Sequence, residues 1–115
     1  MDRYLKVYFM IFGVLLLVAV PGYGYDLSGV WNGDDGGKYY IRQIGDTLWW
    51  LGSNPPNWAN VAKGTIGGDT ITLDWADVPM GSIASNGILV LRIDSDNKLT
   101  AEKKTGGFGG SNWSR

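Results

Sequence analysis

The sequence predicts an all-β fold: a small antiparallel up-and-down meander of seven or eight short strands, closing into a barrel or flattened sandwich. Three observations predict it. Short apolar stretches of period two recur beyond residue 26, and no segment there keeps a helical period. Gly, Asp and Asn gather between these stretches at short, even spacing, which is hairpin chemistry. The chain has six Trp and no Cys, so a small core must be held by rings rather than by disulfides. Closure also removes the exposed strand edges that invite aggregation.

The first element is not part of that domain. Arg3 and Lys6 precede an uncharged run, Val7 to Val20, and Pro21 to Gly24 follow it. A basic start, an apolar run and a small-residue exit make a secretory signal, expected over residues 1–24 with cleavage after Gly24. An uncleaved membrane anchor is the alternative. The run has about 14 residues against the roughly 20 that a spanning helix needs. Either way, residues 25–115 form a single domain expected to be secreted or otherwise extracytoplasmic. Without Asp2, Arg3 and Lys6, ten acids face eight bases. That balance gives no electrostatic footprint for nucleic acid and no basic membrane-binding surface. A membrane partner is expected only through the leader, if it is retained.

Leu27 to Asn32 reads as the first strand, with Leu27, Gly29 and Trp31 on one face. Asp34-Asp35-Gly36-Gly37 is a turn. Lys38 to Ile44 follows, with Tyr39, Ile41 and Gln43 on one face and Tyr40 and Arg42 on the other. Gly45-Asp46 joins it to Thr47–Gly52. There Trp49 and Trp50 must point to opposite sides, so that one can be core while the other faces either a covering element or the outside. Pro55-Pro56 interrupts the ladder, and Trp58 opens a weak fourth strand to Ile66. Gly68-Asp69 repeats the earlier Gly-Asp joint. Ile71, Leu73 and Trp75 alternate inward along the fifth strand. Residues 76–87 form the longest connection, the kind of loop that is often functional. Leu89, Leu91 and Ile93 mark the sixth strand, Leu99 to Lys104 the seventh, and Ser111 to Arg115 a short closing strand after Gly106-Gly107-Phe108-Gly109-Gly110.

Little in this chain points to catalysis. His and Cys are both absent, which removes the usual general base, the thiol nucleophile and the common transition-metal ligands. Asp34, Asp35, Asp74 and Asp77 are the carboxylates near the aromatic region. Asp34 and Asp35 precede a Gly pair, where turn acids ordinarily sit. A two-carboxylate glycoside hydrolase would need two acids across one cleft. Asp94-Ser95-Asp96-Asn97 starts like a calcium loop but continues with Lys98 and Leu99, so it reads as a hairpin turn. Asn112-Trp113-Ser114 matches an N-glycosylation acceptor. No catalytic residue, metal site or cofactor is expected.

The aromatic set remains. Trp49, Trp50 and Trp58, joined by Tyr40 and Arg42, are the candidate ligand-binding residues. They could form a stacking face for a small apolar or saccharide ligand. The competing expectation is a structural or cell-surface domain whose rings are all core.

Leu27-Ser28-Gly29-Val30-Trp31-Asn32 resembles the G-x-W opening of avidin-like and lipocalin-like barrels, in which the Trp plugs one end. Trp113-Ser114-Arg115 is similar to the final strand of avidins. The resemblance implies an antiparallel barrel and carries over no biotin site. The longer pattern W-N-x-D-D-G-G-x-Y-Y-I-R-Q-I-G, from Trp31 to Gly45, resembles a group of small, exported, uncharacterised microbial proteins and implies no particular activity.

Overall fold

The computed structural model describes residues 24–115. The leader expected over residues 1–24 therefore lies, apart from Gly24, outside the described residues. Eight strands follow in order: β1 Gly29–Gly33, β2 Lys38–Ile44, β3 Thr47–Asn54, β4 Trp58–Gly67, β5 Thr70–Val78, β6 Asn86–Ser95, β7 Lys98–Lys104 and β8 Asn112–Ser114. Each pairs antiparallel with its sequence neighbours, and β8 returns to β1 to close a barrel. The alternative of a flattened sandwich is thereby resolved in favour of closure.

The joints explain the tight winding at one end. Ile44 pairs with Thr47 and Gly67 with Thr70, leaving two-residue turns of Gly-Asp. Gly45 and Gly68 both have φ of 61°, whereas no non-glycine residue among the described residues has positive φ. Glycine first and a normal residue second is the type II′ pattern, whose twist suits a hairpin. The two turns also make the same tertiary bond. The Ile66 and Ile93 N–H groups donate to the carbonyls of Asp46 and Asp69, each at 2.7 Å. The β6–β7 turn lacks glycine, and there the register shifts between Ile93 and Ser95.

Side chains fill the interior. Inward positions alternate large and small across neighbouring strands, as a small barrel requires. Trp50 lies opposite Ala62, Ala62 opposite Trp75, and Trp75 opposite Gly87. Tyr39 lies opposite Gly52, where an added Cβ would come within 2.4 Å of the phenol ring. Leu27, Trp31, Leu48, Ile71, Leu73, Leu89, Leu91 and Leu99 are all fully buried. At the hairpin end, Trp31 plugs the barrel. Its indole N–H donates to the Leu27 carbonyl at 2.9 Å, and the Arg115 guanidinium lies 4.5 Å from the ring centroid.

The opposite end carries the longer loops. The connection expected over residues 76–87 is shorter than the sequence suggests, because β5 runs on to Val78 and β6 begins at Asn86. Backbone pairing of Ala76 with Asn86 extends the hairpin, and the Asp77 N–H donates to the Ser85 carbonyl at 2.8 Å. These bonds involve only main chain, so side-chain patterning does not reveal them.

Candidate functional site

The candidate site is the mouth of the barrel at the long-loop end. Four elements build it. Asp35 comes from the β1–β2 turn, Trp58 and Asn60 from the start of β4, Trp75 and Asp77 from the end of β5, and Phe108 from the β7–β8 loop. Together with Ile83 and Ser85 they line a cleft of about 160 Å³. A cavity of about 150 Å³ holds one benzene-sized ring.

The cleft exists because the inward row of β2 to β5 changes character here. Below it, Trp50 and Trp75 span the barrel. One step toward the rim the row reads Tyr39, Gly52, Asn60 and Asp77, each opposite the next. Tyr39 fills the space above Gly52, while Asn60 and Asp77 are short and leave a hollow. Phe108 closes one side. The left-handed glycines Gly106 (φ 76°) and Gly107 (φ 80°) turn the chain so that the ring enters the barrel end. It meets Trp75 edge-on at 4.9 Å between centroids. Trp58 forms the opposite wall, 6.0 Å from Tyr39. It packs so closely over Gly37 that a Cβ there would lie 2.3 Å from the indole.

Four side-chain donors around the cleft are already used. The Trp50 indole donates to Asn60 Oδ1 at 3.0 Å and the Trp75 indole to the Thr105 carbonyl at 3.2 Å. The Ser85 hydroxyl donates to the Gly106 carbonyl at 2.6 Å. Tyr39 donates to Asp35 Oδ2 at 2.5 Å, and Asp35 Oδ1 accepts the Gly37 N–H at 2.9 Å. Burial and the adjacent Asp35 carboxylate push the Tyr39 phenol well above its ordinary pKa. The side chains of Asn60 and Trp113 act on it in the opposite sense. The buried Trp113 indole N–H has no hydrogen-bond partner.

Two carboxylates, the Asn60 amide and the Trp58 indole N–H remain available at the space. Asp77 accepts the Ser85 N–H at 2.9 Å through Oδ2, which leaves Oδ1 without a donor among the described residues. Asp35 keeps only the second lone pairs of its oxygens. Asn60 is 4% exposed and makes its side-chain hydrogen bond through oxygen. Its NH2 donates to no described group.

The five residues expected to bind ligand divide among three places. Trp50 is core, 3% exposed. Trp58 is at the mouth. Tyr40, Arg42 and Trp49 lie on the outer wall, where Trp49 is 37% exposed and Lys63 lies 5.6 Å from its ring centroid. Tyr40 heads an outward row with Leu51 and Val61, and Trp49 sits opposite Arg42 and Lys63. A groove of about 390 Å³ runs beside Trp49, Val61, Lys63, Asp74 and Ala76. It is larger than the mouth but open, because the wall of a barrel is convex and touches a ligand from one side only. The mouth encloses its contents and converges polar groups on them, which is the usual form of a small-ligand site.

Asn60 and Phe108 were not among the sequence candidates, and Asp77 was named only as a possible catalytic acid. For Asn60 a signal was present: Ala62 and Ile66 face inward, so Asn60 at the same parity does too, and a polar side chain there is unusual. Two other acids, Asp34 and Asp94, have structural employment. Asp34 accepts the Ser111 N–H at 2.8 Å and the Asn112 amide at 3.0 Å, and these bonds hold its carboxyl below the ordinary range. Asn112, the glycosylation candidate, therefore already has its side-chain amide engaged. Asp94 accepts from Arg92 at 2.7 Å and from Thr100, as a hairpin acid would. Among the described residues, no three potential metal-binding side chains come together.

Compared with protein-family models, with curated proteins and with solved structures, the chain matches none.

Proposed function

We propose that this protein is an exported, non-enzymatic β-barrel module that binds one saccharide-sized ring in the mouth of the barrel. The observation that carries the reading is the lining of the mouth. Trp58, Trp75 and Phe108 supply ring faces, and Asp35, Asn60 and Asp77 supply polar groups at the same space. Sugars have apolar C–H faces and hydroxyl edges, and such a wall meets both. A purely apolar ligand would leave the Asn60 amide and Asp77 Oδ1 unpaired, at a cost of about 1–3 kcal/mol for each buried group. The volume suits a single ring, being below the roughly 300–1,000 Å³ of sites for larger ligands. A filled interior also leaves no deep chamber for an acyl chain.

The reading of all rings as core is weakened by Trp58, which walls an open cleft, and by Trp49 on the outer face. A hydrolase gains one point, since Asp35 and Asp77 face the same cleft. Against it, every neighbour bonded to Asp35 donates to it. That arrangement suits an acceptor better than a general acid carrying a proton.

Calorimetric titration of the full chain with a panel of monosaccharides and short glycans tests the proposal. Binding that Trp58→Ala abolishes, with the fold intact by circular dichroism, is the expected result. Binding unchanged in Trp58→Ala but lost in Trp49→Ala would move the site to the outer wall. Sugar release from an oligosaccharide, abolished by Asp77→Asn, would establish the hydrolase instead.

A further inference from the structure

We infer that the ring held in the mouth carries a protonated amine, so that the preferred ligand is an amino sugar rather than a neutral one. This inference rests on the saccharide reading of the same cleft and adds the charge of the ligand to it.

The argument is an inventory of donors and acceptors. A sugar hydroxyl both gives and takes hydrogen bonds, so a site for neutral sugars presents donors and acceptors together. This mouth presents two carboxylates and no cationic side chain to balance them. The indole N–H groups of Trp50 and Trp75, the Ser85 hydroxyl and the Tyr39 hydroxyl are all committed to protein acceptors. Two side-chain donors at the cleft, the Asn60 NH2 on a residue 4% exposed and the Trp58 indole N–H, have no partner among the described residues. Facing them are two carboxylates, Asp35 and Asp77, and no Lys or Arg lines the space. The nearest rim cation on the β7–β8 side, Lys104, is turned to the Ser111 hydroxyl at 2.8 Å.

An ammonium group has three donors and no acceptor. It therefore complements Asp77 Oδ1 and the remaining lone pairs of Asp35, and it requires no donor from the protein. The Asn60 amide is left to bond a ring or hydroxyl oxygen. Trp58, Trp75 and Phe108 add to the preference, because the negative face of an aromatic ring attracts a cation. A neutral sugar placed here would satisfy the Asn60 donor but leave two carboxylates facing each other without a counter-charge.

The test compares glucosamine with N-acetylglucosamine and glucose by calorimetry on the full chain. Glucosamine is expected to bind about tenfold tighter than either neutral sugar, the difference between a charge-assisted and an ordinary hydrogen bond. Asp77→Asn keeps an oxygen for the Ser85 N–H and should reduce glucosamine to the level of the neutral sugars. Raising ionic strength from about 0.02 to 0.5 M should weaken glucosamine binding to the unaltered protein and leave neutral binding unchanged, because screening acts on the charge alone. This arm needs no variant. Equal affinity for charged and neutral sugars, with no salt dependence, overturns the amine inference and leaves the saccharide site standing. No heat with any of the three sugars overturns the amine inference, and no heat across the whole glycan panel on folded protein overturns both.

Discussion

Two indoles in the same aromatic cluster differ in what their N–H groups do. Trp50 and Trp113 lie 5.6 Å apart and are 3% and 1% exposed. The Trp50 N–H satisfies Asn60 Oδ1, whereas the Trp113 N–H satisfies nothing. Replacing each by Phe removes similar packing but opposite polar terms. Trp50→Phe strands a buried amide oxygen, and a stranded polar atom costs about 1–3 kcal/mol beyond lost volume. Trp113→Phe removes an atom that is already stranded. Urea melts should therefore show Trp50→Phe as the more destabilised by about that margin; equal losses would contradict this account of the pair. The parity of residues 49 and 50 was legible in the sequence, since adjacent strand positions face opposite sides. Which of the two was core was not, because each is flanked by apolar residues on both faces.

At the scale of elements, the weak point of the barrel is its seam. β8 has three residues, and β1 meets it only at Asn32–Ser114 and Gly33–Trp113. Side chains reinforce the closure from both ends. At the mouth, Asp34 binds the start of β8 and its approach. At the plugged end, Arg115 donates to the carbonyls of Asp96, Ser28 and Asp26 at 2.7–3.0 Å. The Asp34 carboxyl is held below its ordinary value of 3.8, first by the Ser111 N–H. A depressed carboxyl stabilises the fold above its unfolded pKa and loses that contribution as pH falls through the folded one. Wild-type stability should thus drop below about pH 4, with the β8 amides the first to lose hydrogen-exchange protection. Asp34→Asn should flatten that acid limb while lowering neutral stability by roughly 1 kcal/mol, the bonds being exposed. An acid limb of the same steepness in Asp34→Asn would remove Asp34 from the explanation. Strand order and facing were legible from period-two patterns, and the two Gly-Asp turns from their repeated spacing. The seam was not, because it depends on an Asp and an Arg meeting partners up to 89 residues away in sequence.

For the whole molecule, the proposed function rests on the difference between the two ends. Tight turns, Trp31 and Arg115 seal one. Longer loops leave the other with a ring-sized hollow over Asn60 and Asp77. The middle is solid, so ligand has access to the mouth but not the interior. Sequence reasoning singled out the aromatic set, and of its five candidates Trp58 lies at the mouth. It also grouped with Trp58 three residues, Tyr40, Arg42 and Trp49, that curvature carries to the outer wall. Strand parity gives a side chain's face but not its height along the barrel, and the mouth is defined by height. Phe108 and Asp77 reach the site through glycine turns and a backbone hairpin extension that leave no side-chain pattern.

The most direct test of the mouth as the binding site is a proton–nitrogen correlation spectrum of the full chain, recorded during titration with glucosamine. Its six Trp give separate indole signals, and Asn60 gives a side-chain amide pair. The account predicts that the Trp58 and Trp75 indoles and the Asn60 amide shift together with one dissociation constant, while Trp49 and Trp31 stay fixed. Shifts confined to Trp49, with the Asn60 amide unmoved, would contradict it.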